Sequence, residues 1–129
     1  MIASNSKAGK RTPLPGRPVR GSRTGRPAMA LLDLLGRRWA LRVLWELRDD
    51  TAAPTFRALQ ARCGNVSSSV LNERLRELRE AEIVTVSPGG GYRLTPEGHE
   101  LMLALAPLDA WAVRWAARSL PEKRDRSNS

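Results

Sequence analysis

Residues 56–81 read FRALQARCGNVSSSVLNERLRELREA, and the spacing of their apolar side chains decides the fold. Phe56, Leu59 and Cys63 recur at i, i+3 and i+7, which puts them on one face of a helix that Thr55 is placed to cap. Arg57, Gln60 and Arg62 then point the other way, and Cys63 reads as a small core residue. Gly64 and Asn65 make a turn. Ser67 is a good N-cap for the next helix, in which Leu71, Leu75 and Leu78 form a narrow seam to be buried. The opposite side collects Ser69, Asn72, Glu73 and Arg76. A polar helical face is usually plain solvated surface. Two helices joined by a tight turn, the second starting with small polar residues and lined with arginine, nonetheless meet the requirements of a helix that reads the major groove. Short side chains let its backbone approach the groove floor, and arginines beside it reach phosphates.

Upstream, residues 31–47 read LLDLLGRRWALRVLWEL. Gly36 divides them into a short helix ending at Leu35 and a second from about Arg38 to Arg48, with Ala40, Val43, Leu44 and Leu47 inward. Downstream, the β-branched Ile83, Val84 and Val86 lead through Pro88 and Gly89 to Gly91 into Tyr92, Arg93 and Leu94, the pattern of a hairpin. Tyr92 and Leu94 alternate inward and Arg93 outward. The glycines do not suit a nucleotide-cradling loop, because neither a Lys-Ser/Thr pair nor a helix follows directly. Thr95 caps a last helix, with Pro96 pre-set at its first position and Glu97 favoured by the dipole. Leu101, Leu105, Leu108, Ala112 and Trp115 form its stripe, beside Ala104, Trp111 and Arg118. That stripe is wider than one small core needs, so Trp111 and Trp115 are expected to meet a partner chain. Pro107 is expected to bend or interrupt the helix.

The 129 residues suit one domain. Their 22 Lys and Arg against 13 Asp and Glu give +9, a balance that favours an anionic partner. The charge is unevenly spread. Residues 1–27 carry seven basic groups and no acid, 28–118 carry twelve against eleven, and 119–129 carry three against two. The expected organisation is a disordered basic tail over 1–27, a folded domain over 28–118 and a disordered tail over 119–129. The first segment reads either as an arm along DNA phosphates or as a solvated stretch, with Met29 an alternative start. Single Cys and His residues provide no disulfide, no metal set and no converging catalytic groups, so neither an enzyme nor a cofactor is expected. His99 reads as a surface residue. No run suits a membrane span or a signal peptide, so the expected location is the cytoplasm, on the nucleoid.

Three runs resemble the HxlR-type winged helix-turn-helix regulators: residues 31–47, FRALQARCGNVSSSVLNERLRELREAEIV, and YRLTPEGHEL with Trp111 downstream. Asp33, Gly36, Trp39, Ser67, Arg74, Ala81, Tyr92, Thr95 and Gly98 sit where that family places such residues. The resemblance implies a mainly α fold with a small β-hairpin wing, a recognition helix over 67–81 and a wing at 87–93. It further implies a homodimer built through the first and last helices, with Leu31, Leu34, Leu35, Leu108, Trp111 and Trp115 at the interface, bound to a palindromic duplex operator. On the same resemblance Ser68, Ser69, Asn72 and Glu73 read base edges, with Ser67 at the start of that surface. Arg57, Arg74 and Arg76 hold phosphates and Arg93 serves the wing. Arg74 lies close to the leucine seam, where an internal ion pair is the alternative. Some family members sense oxidants through a Cys-Pro pair ahead of the first helix, where this chain has Arg26-Pro27, and Glu82 replaces a common helix-ending glycine. The rival function is a winged-helix module that binds protein or RNA without reading duplex sequence.

Overall fold

Pro27, whose ring already holds a helical φ, opens helix α1 (Pro27–Leu35) in the computed structural model, which describes residues 11–49 and 52–119. Helix α2 (Ala40–Glu46) starts after Trp39, which takes φ 76° in the left-handed region. A helix cannot pass through that conformation, so α2 begins later than the expected Arg38. Helix α3 (Phe56–Arg62) is capped by Thr55, whose side chain accepts from the Ala58 N–H, and helix α4 (Ser68–Glu80) by Ser67, which accepts from that of Val70. Between them Gly64 and Asn65 both adopt positive φ, 75° and 61°, which reverses the chain within a single tight turn.

Helix α4 stops at Glu82, which takes φ 62°. The Ile83 N–H reaches the Leu78 carbonyl and the Glu82 N–H that of Arg79, both at 2.9 Å. This is the stop that glycine usually makes, and a side chain there costs about 1 kcal/mol. Strands β1 (Val84–Val86) and β2 (Tyr92–Leu94) pair antiparallel, Val84 facing Leu94, Thr85 facing Arg93 and Val86 facing Tyr92. The hairpin is seated by close backbone contact. A Cβ on Gly91 would fall 2.1 Å from the Ala53 carbonyl oxygen, and the Tyr92 N–H donates to Pro54 at 2.8 Å.

Helix α5 (Pro96–Ser119) leaves the sheet at Gly98, where a Cβ would sit 2.3 Å from the Ile83 carbonyl oxygen, so only glycine lets the helix lie this close. Of the expected bend or interruption at Pro107, the interruption does not occur, and α5 runs unbroken through it. The carbonyl that loses its partner is that of Leu103, an exposed residue, and water can satisfy it.

The core is a single cluster in which Val43, Leu44, Leu47, Leu59, Cys63, Leu71, Leu75 and Leu78 are almost wholly buried. Leu34 and Leu35 belong to this cluster, which corrects their assignment to a dimer interface, and Leu31 packs against it. In a run of four leucines around Asp33, the side that faces outward is Leu32. Truncating one such core leucine to alanine costs about 2–5 kcal/mol.

Residues 11–26 correct the expectation of a disordered tail within their span. They form a strap across α1 and the C-terminal end of α4. Thr12 is buried and its hydroxyl donates to Glu80 Oε1 at 2.6 Å. Arg17 lies 3.5 Å from Glu80 Oε2 and also donates to the Thr12 carbonyl, while the Arg20 N–H donates to Asp33 at 3.0 Å. Gly25 packs against the Arg17 backbone, and the Gly16 N–H donates to its carbonyl at 2.9 Å. The expected tail positions 1–10 and 120–129 lie outside the described residues.

Candidate nucleic acid interface

The turn between α3 and α4 is braced from within. Gln60 Nε2 donates to the Val66 carbonyl at 2.8 Å and to Ser68 Oγ at 3.2 Å. Its amide therefore ties the end of the first helix to the start of the second, which fixes the angle at which α4 is presented. Nothing in the apolar spacing marks Gln60 for this task. Leu71, Leu75 and Leu78 lock the inner side of α4 into the core, leaving Ser68, Ser69, Asn72 and Arg76 exposed along its outer side. The Ser67 hydroxyl is engaged as the cap. Arg57, on the exposed side of α3, has no carboxylate partner among the described residues.

Two arginines of α4, Arg74 and Arg76, are less available than their spacing suggested. Arg76 Nη2 lies 2.8 Å from Glu73 Oε2 and its Nη1 3.4 Å from Glu80 Oε1. The Arg76 guanidinium is the main cause that holds the Glu73 carboxyl below the usual range, and Glu73 in turn raises Arg76. Such exposed pairs contribute only about 0.3–0.5 kcal/mol, so a phosphate can displace the carboxylate. Arg74 is different. It turns inward, with its side chain only 16% exposed and its Nε 3.1 Å from Oε1 of the buried Glu77. That nitrogen makes no aligned hydrogen bond despite the short distance, so the attraction is one of charge. Glu77 receives its hydrogen bond from Arg37 Nη1, at 2.6 Å. Of the two readings left open for Arg74, the geometry is that of the internal ion pair, and the side chain does not share the outer face of α4. Glu77 itself gave no sign of burial in the sequence, because it lies off the leucine stripe.

Arg93 projects from the middle of β2 and is exposed. Between α4 and the hairpin runs a cleft of about 600 Å³ lined by Asn72, Glu73, Arg76, Arg79, Thr85 and Tyr92, among others. The hairpin thus stands beside the outer face of α4 as a wing does. Along α5, Leu103, Leu108, Val113, Trp111 and Trp115 are exposed, the two indoles stacked with centroids 5.9 Å apart and planes 12° apart. Leu41, Trp45 and Met102 continue this apolar surface into a groove between α2 and α5, which His99 also lines. Among the described residues no helix is long and apolar enough to cross a membrane, and no group of three or more His, Cys, Asp or Glu side chains is placed to hold a metal.

Two helices at a tight turn, a hairpin against the second and a long closing helix define a winged helix-turn-helix. The HxlR-like helix-turn-helix family model matches residues 34–120, and the chain belongs to that family. It is a DNA-binding transcriptional regulator, a class that is not an enzyme class. One curated relative is the Uncharacterized HTH-type transcriptional regulator YvaP of Bacillus subtilis (strain 168), 29% identical over 90 residues that span 65% of this chain and 82% of that one. Among solved structures, quinone-bound YodB from B. subtilis superposes with a TM-score of 0.60 at 30% identity, covering 66% of this chain and 92% of its own. A possible HxlR family transcriptional factor from Thermoplasma volcanium GSS1 superposes with a TM-score of 0.59 over 69% of this chain and 84% of its own, and its 23% identity speaks to the fold alone.

Proposed function

We propose that the chain acts in the cytoplasm as a homodimer that represses or activates transcription from a palindromic duplex operator. Each α4 enters a major groove and each wing lies along the neighbouring backbone. The observation that carries this reading is the exposure of Ser68, Ser69 and Asn72 on a capped helix whose other side is locked in the core. Short side chains there permit close approach, and Asn72 has the paired donor and acceptor that match an adenine edge. Arg57, and Arg76 once released from Glu73, hold phosphates on either side, and Arg93 does so at the wing. The surface of Leu108, Trp111 and Trp115 supports the dimer, since so much exposed apolar area on one terminal helix is characteristic of an interface.

A bound quinone is a property of the YodB structure. In this chain the one cysteine, Cys63, has no exposed surface, and burial above all, with the Glu46 charge second, pushes its thiol up. A buried thiol held protonated is a poor nucleophile, so we assign no sensing role to it.

The test is selection of bound duplexes from a random pool by the purified full chain, followed by binding at several salt concentrations. A preferred palindrome with steep salt dependence is expected. Arg57→Ala should weaken binding to every duplex, whereas Asn72→Ala should change which sequence is preferred, with about 1–3 kcal/mol of discrimination lost at one position. No preference over random DNA at low salt would refute the reading and leave a winged-helix module for protein or RNA.

A further inference from the structure

The strap packs beside α4 and brings arginines from three parts of the chain to one place. A cleft of about 410 Å³ is lined by Arg11, Arg17, Arg20 and Arg37 with Asp33. A second, of about 390 Å³, is lined by Arg20, Arg37, Arg38 and Arg74 with the same Asp33. The two share Arg20, Asp33 and Arg37 and so form one trough between the strap, the turn after α1 and α4. Its arginines divide into two sets. Arg17, Arg37 and Arg74 are committed to Glu80 and Glu77. Arg11, Arg20 and Arg38 are exposed and have no carboxylate partner among the described residues. Asp33 supplies one negative charge and uses it to hold the strap through the Arg20 N–H.

We propose that this trough binds the phosphodiester backbone of the duplex next to the major groove that α4 enters, with Arg20 and Arg38 as the contacts. The proposal rests on the duplex-binding reading above and adds to it where the charge comes from. Glu80, which the strap clasps through Thr12 and Arg17, follows Asn72 and Arg76 at helical spacing on α4, so the trough borders the outer face of that helix. Helix α4 has limited positive charge of its own to spare, because Arg74 is turned inward and Arg76 is shared between Glu73 and Glu80, which leaves the exposed Arg79 as its one arginine without a carboxylate partner among the described residues. Uncompensated guanidiniums gathered at one end of such a helix repel one another unless an anion lies among them. A phosphate is the anion whose geometry suits paired guanidinium donors. Arg20, on the strap, precedes the residues that the family model matches, and Arg38 lies within them.

The experiment compares the full chain with its Arg20→Gln, Arg38→Gln double variant and with Arg114→Gln on α5, using the selected operator and a random duplex. Each lost phosphate contact lowers the slope of log affinity against log salt by about 0.9, so the double variant should lose about 1.8. Its affinity should then fall about twelvefold less than that of the parent between about 50 and 200 mM salt, equally on both duplexes, because phosphate contacts are blind to sequence. Arg114→Gln should keep the parent's slope. An unchanged slope in the double variant, with the parent binding normally, overturns the proposal. Saturable binding of inorganic phosphate to the parent that the double variant lacks, again with unchanged slopes, reassigns the trough to a soluble anion and also overturns it. Absence of duplex binding by the parent itself removes the reading on which the proposal stands, and that result is visible before any variant is made.

Discussion

Glu77→Ala is the substitution whose cost the structure fixes most directly. The carboxylate is 1% exposed and lies 2.6 Å from Arg37 Nη1 and 3.1 Å from Arg74 Nε, so its removal leaves two guanidiniums facing each other with nothing between them. Breaking a buried ion pair by deleting one partner costs about 3–5 kcal/mol. Here the two arginine side chains are 18% and 16% exposed, so water reaches them and the lower end applies, about 3 kcal/mol. For a domain of this size that lowers the melting temperature by about 12 °C or more. The measurement is urea unfolding at one fixed protein concentration, since self-association would make stability depend on concentration. Glu77→Gln keeps the shape and one acceptor and should lose less. Arg37→Ala should lose most of what Glu77→Ala loses, and the double variant little more than either, because the two remove the same contact. A loss below about 1 kcal/mol, no greater than an exposed pair such as Glu73 with Arg76 would give, would mean that the triad does not anchor α4.

Three further outcomes are expected. Trp111→Ala should weaken self-association at least about tenfold in sedimentation equilibrium, because it removes half of the stacked pair from the centre of the exposed patch, whereas a parent that sediments as a monomer would defeat the interface. Glu80 is held below the usual carboxylate range chiefly by the Thr12 hydroxyl and then by Arg17. A depressed carboxylate stabilises fully above its unfolded-state value and loses this as pH falls through the folded one. The thermal stability gap between the parent and Glu80→Gln should therefore be present at neutral pH and close below the usual carboxylate range; a gap independent of pH would show that the strap does not depend on that charge. Finally, a thiol reagent should label Cys63 slowly in the native protein and at once in urea, and rapid stoichiometric labelling of the native chain would contradict its burial.

Periodicity located the helices because each buries a stripe, and stripes leave a mark in sequence: Leu59 with Cys63, Leu71 with Leu75 and Leu78, and Val43 with Leu44 and Leu47 are all core. Caps were legible for the same local reason, and Thr55, Ser67 and Thr95 each accept the expected N–H. What escaped was decided by partners far away in the chain. Leu34 and Leu35 could not be told from Leu32 as the inward side, because apolar residues flank Asp33 on both sides and only the position of α2 breaks the tie. The strap had too little apolar content to predict a fold, and it is held by single polar contacts such as Thr12 to Glu80, across 68 residues of chain.

The balance of charge shows the same division between what is local and what is not. Residues 28–118 are almost neutral, which weakens any argument from net charge, yet neutrality conceals a sorting. Glu73, Glu77 and Glu80 pair with Arg74 and Arg76 in place and leave only the exposed Arg79 without a carboxylate partner among the described residues, so on the proposed reading the bases are read from a helix with three acids for its three arginines and little net pull on phosphate. Arg57, Arg93, Arg20 and Arg38 keep their charge at the edges, on α3, the wing, the strap and the turn after α1. A helix so neutralised has little reason to bind every duplex alike, and discrimination by Asn72 and its neighbours is then not swamped by attraction from the same helix. On the proposed reading attraction comes instead from the rim, where it fixes position without reading sequence. The division predicts that substitutions at the rim change how tightly the chain holds any DNA, while substitutions on the outer face of α4 change which DNA it prefers.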